Sequence, residues 1–269
     1  MNIYIATFKI QLLAILLLTF PVCFSKANIV ILNGLTHEKV SPAGSSYRGT
    51  IQLQNTATKE RSVRVYQKDY WFSHTGETKH DTAGTQERSN AGWITFNPEL
   101  LTLQPNEIAT IDYEVIVPQN ELLAGTYWSV IMVEGISPAD TSSYTRGVTI
   151  KTAIRYAVQM ITTIGNTGTS DIQFLGLELA KNGIANELSV IIENTGERIL
   201  KPETSIEIFD ESGNSVGTFK ADPRKTFPGT SVKITLVLEG IKPGNYTGVL
   251  VADCDEDHIF GTNVSFEIG

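Results

Sequence analysis

The stretch "LLAGTYWSVIMVEG" at residues 122–135 returns in altered letters as "IKPGNYTGVLVADC" at 241–254. Each opens a strand-like apolar run with Gly-x-Tyr. Ahead of each stands a Pro turn leading into another strand, "TLQPNEIATIDYEVIVP" (102–118) and "TFPGTSVKITLVLEG" (226–240). Ahead of those stand strands ending in Asn-Thr, "IQLQNT" (51–56) and "LSVIIENTG" (188–196). Three landmarks in one order argue for two homologous domains, joined near "TTIGNTGTSD" (162–171), rather than one large sandwich. The first copy is longer. Its extra length, "WFSHTGETKHDTAGTQERSNAGW" (71–93), reads as an added hairpin and loop.

The strands themselves are written in a period of two. "TIDYEVIVP" puts Ile111, Tyr113, Val115 and Val117 on one face and Thr110, Asp112 and Glu114 on the other. "SVRVYQKDY" (62–70) and "SIEIFDESG" (205–213) alternate likewise, and Pro, Gly, Asn and Asp punctuate the chain at sandwich intervals. No stretch beyond the leader shows capped helical periodicity, so the fold class is all-β.

The first residues fix the compartment. Lys9 precedes a short apolar run, "IQLLAILLLTFPVCF", which ends in "SKA" with small Ser25 and Ala27 placed for signal peptidase. Residues 1–27 are therefore expected to be a cleaved signal peptide, with domains at 28–165 and 170–269. A lipoprotein signal at Cys23 is the lesser reading, because Val22 stands where a small residue is needed. Cleavage removes Lys9 and Lys26 and no acid, leaving a charge more negative than the formal −8 of the 269-residue chain. With no basic run, nucleic acid and anionic lipid are poor partners. No transmembrane helix is expected in the mature chain, which would lie in the periplasm or on the outer side of the envelope. Only Cys254 would remain, so no intrachain disulfide can form and packed cores must hold the fold.

Gly-x-Tyr has a mechanical meaning in immunoglobulin-like sandwiches, where a Tyr near the start of strand F bonds back to the preceding corner. Tyr127 and Tyr246 take that place, and Ser129 and Gly248 stand where a disulfide cysteine commonly follows. The chain thus reads as two tandem immunoglobulin-like β-sandwich domains without the disulfide. "VSPAGSSYRGTIQLQNTATKERSVRVYQKD" (40–69), "WITFNPELLTLQPNEIATIDYEVIVPQ" (93–119) and "AGTYWSVIMVEG" (124–135) resemble the first domain of two groups of bacterial envelope proteins. These are the periplasmic pilus chaperones, built of two such domains, and the WxL-interacting proteins, whose first domain is described as peptidoglycan-binding. Two features depart from them. The chain lacks the C-terminal membrane helix and basic tail of the second group, and "NIVILNGLTHEK" (28–39) offers only Lys39 where pilus chaperones carry an early Arg.

The candidate site lies in "VTIKTAIRYAVQMITTI" (148–164). Val148, Ile150, Ile154, Tyr156, Val158, Met160 and Ile164 share one face, with Lys151, Arg155 and Gln159 opposite. By order this is strand G of the first domain, an edge strand. Each large apolar side chain left in water costs roughly 1.5–3 kcal/mol, so the row must be buried. Either its own sandwich covers it, as for an ordinary strand, or part of it is covered by a partner, as its unusual length allows. The resemblance implies the second: pilus chaperones lend this strand to unfinished subunits, and Lys151 and Arg155 would clamp a terminal carboxylate. The candidate partner-binding residues are Lys151, Ile154, Arg155, Tyr156, Val158 and Met160. An unpaired edge is expected over 148–160.

Other chemistry is thin. His74, His80 and Asp81 fall in the polar loop of the inserted hairpin without zinc-ligand spacing. "DCDEDH" (253–258) reads as a charged reversal between strands F and G rather than a metal site. No nucleophile elbow, phosphate loop or His-Glu-x-x-His is present, and neither cofactor nor metal is implied. The expectation is a non-enzymatic protein that binds secreted or surface protein subunits in the manner of a pilus-assembly chaperone. The alternative is a structural module for peptidoglycan or surface polysaccharide, which an aromatic platform at Trp71 or Trp93 would favour.

Overall fold

The computed structural model describes residues 28–136, 154–182, 185–255 and 257–269. The alternating apolar positions close into two successive β-sandwiches. In the first, one sheet runs in the order β1 (Ile29–Ile31), β3 (Ser46–Asn55), β9 (Ile108–Ile116), β7 (Ile94–Asn97). The facing sheet runs β2 (Thr36–Ser41), β11 (Arg155–Ile164), β10 (Gly125–Ile136), β4 (Arg61–Lys68), β8 (Leu100–Leu103). Ile51, Leu53, Ile111 and Val115 meet Ile131, Val133, Val158 and Met160 in one core. Interior packing of this kind supplies what a disulfide would.

The second sandwich pairs β12 (Ile172–Asn182), β13 (Ala185–Asn194) and β16 (Ser231–Leu238) against the order β15 (Ser215–Lys220), β14 (Glu203–Phe209), β17 (Gly244–Asp255), β18 (His258–Ile268). Leu188, Val190, Ile192, Ile206, Ile208, Ile234 and Leu250 fill it. Gly248, at the vacant cysteine position, leaves room for a neighbour: a Cβ there would stand 2.9 Å from Ile206 Cδ1. In the first domain Ser129 Oγ instead donates to Asn90 Oδ1 at 2.6 Å. No helix among the described residues is long and apolar enough to cross a membrane.

The landmarks have definite tasks. Asn55 and Asn194 are fully buried, and each amide ties the end of its strand to the turn that opens a later one. Asn55 Nδ2 donates to Lys59 O and Leu103 O, at 2.9 and 3.0 Å. Asn194 Nδ2 donates to Arg198 O and Thr226 O, at 2.7 and 3.1 Å. Tyr246 makes the corner bond, its hydroxyl donating to Lys242 O at 2.8 Å. Tyr127 makes no such bond among the described residues; its ring packs on Trp93, centroids 4.7 Å apart. Gly125, at φ 74°, admits the second domain, because a Cβ there would stand 2.1 Å from the Glu197 carbonyl oxygen.

The two sandwiches meet through a small apolar core of their own. Trp128 and Ile161, on the outer face of β10 and β11, pack with Phe227 of the second domain, the Trp128 and Phe227 rings 4.9 Å apart. The hairpin of β5 (Trp71–Phe72) and β6 (Thr78–Lys79) straps the junction. Trp71 Nε1 donates to Gly229 O at 2.9 Å, and His74 Nδ1 lies 2.9 Å from Ser231 Oγ. Thr126 N donates to Glu197 O at 2.7 Å, and Arg88 pairs with Glu197 at 3.0 Å.

Replacing either buried amide removes its hydrogen bonds to two or more inward carbonyls. Asn55→Ala and Asn194→Ala should each lower stability by about 2–3 kcal/mol, read from the urea midpoint, whereas Asn263→Ala on the exposed face of β18 should change it little.

Candidate functional site

The site begins with a change of allegiance in the first strand. β1 pairs antiparallel with β3, then Leu32 to Leu35 cross the mouth of the sandwich, and β2 pairs parallel with β11. β2 reaches β11 only from Gln159, where Gln159 N donates to Leu35 O at 2.8 Å; its last tie is Gly165 N to Ser41 O at 3.2 Å. Backbone direction alternates along a strand, so Arg155 and Ala157 turn their N–H and C=O groups to the same side as Gln159. Among the described residues no strand pairs with that side of Arg155 to Val158. The other side is fully engaged, Arg155 to Ile164 pairing with β10.

The cover from Gln159 onward is thin, since only Ser41 of the six β2 residues is buried. His37 anchors it, its Nδ1 lying 2.9 Å from the Tyr113 hydroxyl. Its Nε2 is buried without a partner among the described residues, and burial lowers the ring's pKa, favouring the neutral form. Tyr47 adds a tie from the facing sheet to Thr162, at 2.7 Å.

The side chains at the open edge divide by face. Val158 and Met160 are buried in the first core, and Tyr156 packs against it with its hydroxyl donating to Ile29 O at 2.7 Å. The expected open edge over 148–160 is therefore corrected at its far end: Gln159 and Met160 are paired on both sides, because β2 arrives there. The side chains of Val158 and Met160 serve their own sandwich, as inward positions of a half-buried strand do. Ile154 is exposed at the start of the strand, as are Leu32 and Leu35 in the crossing. Lys151, with Val148 and Ile150, lies outside the described residues.

Arg155 is not an unengaged clamp. On the outer face it lies in a row with Glu134 and Arg64 across three adjacent strands. Arg155 Nε donates to Glu134 Oε1 and Arg64 Nη2 to Glu134 Oε2, each at 2.9 Å. Arg64 first, and then Arg155 and Tyr66, hold the Glu134 carboxyl below the usual carboxylate range against the opposing effect of burial. Further along the same face Gln159 opens onto a cleft between the domains, about 350 Å³ in volume, lined also by Tyr70, Phe72, Arg224, Lys225 and Phe227. Lys225 pairs with Glu38, and Arg224 Nη1 donates to Lys233 O at 3.0 Å. Sequence reading singled out none of Arg64, Glu134, Arg224 or His37. The available signal was Glu134 itself, a carboxylate sharing alternation with Trp128, Val130 and Met132.

The remaining candidates disperse. His74 binds Ser231, His80 stacks on Tyr70, and Asp81 accepts from Gln86, so no shared ligand sphere forms. Among the described residues no group of three metal-ligating side chains assembles. At the charged reversal His258 Nδ1 meets Asp255 Oδ1 at 2.7 Å, and burial followed by Asp255 and Asp253 pushes the Cys254 thiol up to about 11. Trp71 is tied to the second domain with Lys79 over its ring, and Trp93 is packed on Tyr127, so each indole is engaged within the chain.

No protein family of known sequence pattern matches the chain, and no curated protein does. Solved structures similar to it include pilus chaperones. A chain of a chaperone–tip adhesin complex of CFA/I fimbriae biogenesis is 13% identical, with a TM-score of 0.48, over 88% of this chain and 98% of that one. The class 5 fimbriae chaperone CfaA is 13% identical, with a TM-score of 0.47, over 88% and 98%. A chain of the Salmonella enterica SafA pilin–SafB chaperone complex is 12% identical, with a TM-score of 0.42, over 90% and 99%.

A carboxyl whose pKa is depressed by folding contributes stability that is present above the unfolded value and lost as pH falls through the folded one. Glu134→Gln should therefore lower the urea midpoint at neutral pH and flatten its decline on acidification, the two proteins converging once the carboxyl is protonated.

Proposed function

We propose that the chain is a non-enzymatic binding protein of the bacterial envelope that receives an extended segment of another exported protein beside β11. The observation that carries this reading is the side of Arg155 to Val158 that no strand covers among the described residues. An edge strand with free N–H and C=O groups is a template for strand addition. Natural sandwiches usually blunt such an edge; here the crossing strand covers it from Gln159 and stops short. The exposed side chains of Leu32, Leu35 and Ile154 supply apolar contact near it.

The binding would be of main chain first and side chain second. Val158 and Met160 are committed to their own core, so they hold the edge in place, and of the apolar candidate residues on the strand Ile154 is the exposed one. Among the proposed residues Lys151 would extend the contact upstream. The resemblance of residues 40–135 to pilus chaperones supports a pilus or surface subunit as the partner and the periplasm as the place. That resemblance lies in the sequence pattern of these residues.

Two substitutions separate edge from core. Ile154→Asp should leave the thermal unfolding curve nearly unchanged and abolish capture of the partner from periplasmic extract. Val158→Asp should cost more than about 3 kcal/mol, because it buries an unpaired charge, and lose capture by unfolding. In the wild-type complex the Arg155 and Ala157 amides should exchange hydrogen more slowly than in the free protein. Unchanged exchange at both amides would sink the reading.

A further inference from the structure

We infer that the segment received at the open edge of β11 carries a carboxylate on the face it shares with Arg155. This rests on the strand-addition reading and adds the chemistry of the partner. The register aligns Arg64, Glu134 and Arg155 side by side on β4, β10 and β11. Their charges alternate plus, minus, plus, and Glu134 bridges the two guanidinium groups at 2.9 Å each. The row ends on a cation at the place where a further strand would lie.

Arg155 has capacity left. Only its Nε is spent on Glu134, and neither Nη is met by an acceptor among the described residues. Its side chain is 56% exposed. Residues directly opposite on neighbouring strands have Cβ atoms about 4.5–5.5 Å apart, and diagonal neighbours lie about 7–8 Å apart. A Glu at either position reaches the unused Nη groups and would continue the alternation to a fourth strand. The next rows of this face strengthen the preference. Tyr66, Met132 and Ala157 bring no charge, and Lys68, Val130 and Gln159 bring another cation. Among the described residues of β4, β10 and β11, Glu134 is the only acid facing this way. In a chain of formal charge −8 this local excess of cations selects against a basic partner and for an acidic one.

Three fluorescein-labelled nonapeptides test the inference on the purified protein by anisotropy. They alternate Val with Thr, Val with Glu, and Val with Lys. The Glu peptide should bind about tenfold more tightly than the Lys peptide, combining attraction in one with repulsion in the other. The ratio should shrink at about 0.5 M salt. It should approach one in Arg155→Ala, and also in Arg155→Gln, which keeps a donor for Glu134 should the first variant prove unstable. Binding of the Thr peptide with equal affinity for the Glu and Lys peptides would overturn the inference and leave strand addition intact. Binding of none of the three would overturn both.

Discussion

A backbone segment can complete the hydrogen bonds of only one sheet at a time, and the first strand of this protein divides itself between two. β1 serves the sheet of β3, β2 serves the sheet of β11, and the residues between them must leave both. The geometry at the candidate site follows from that division. The crossing residues close the mouth of the sandwich at the cost of leaving Arg155 to Val158 with one neighbour instead of two among the described residues. Had the strand stayed wholly with β3, the whole of β11 would be a bare edge; had it crossed earlier, there would be none. The position of the crossing sets both the length and the register of the opening.

The second domain acts on the same strand from its outer face. Phe227 packs on Trp128 and Ile161, and the hairpin of β5 and β6 holds the junction from the side. Side chains at the far end of β11 are therefore fixed by three groups at once: their own core beneath, β2 beside and the second domain above. The near end lacks the last two. A strand clamped along one half and open along the other presents its free backbone groups in a fixed direction, so little conformational entropy remains to be lost when a partner segment pairs there.

Much of the architecture was legible because it rests on local signals. Period-two alternation placed the inward faces, as Ile111, Tyr113 and Val115 show. The repeated Asn-Thr, Pro-turn and Gly-x-Tyr landmarks marked equivalent points in two sandwiches, and Asn55 and Asn194 make equivalent bonds. The candidate site was legible only in part. Strand G and its apolar row could be read, but the row's burial depends on pairing between residues more than a hundred positions apart. Nothing local in "THEKVS" announces a parallel strand against β11, since that segment is polar and mostly exposed. Arg155 looked like an available clamp because sequence alternation gives the face of a side chain and not its cross-strand neighbour. Glu134 becomes its partner only once register is set.

The buried amides of Asn55 and Asn194 carry one more consequence. Each fastens the end of one strand directly to the turn that starts a later one, across a gap of 48 residues between Asn55 and Leu103 and 32 between Asn194 and Thr226. The sandwich thus closes its frame without reference to what is threaded between those points. Loop closure grows more costly only slowly with length, so a frame fastened this way tolerates long excursions. The 71–93 segment is such an excursion, present in one domain and absent from the other, and it forms the strap between them.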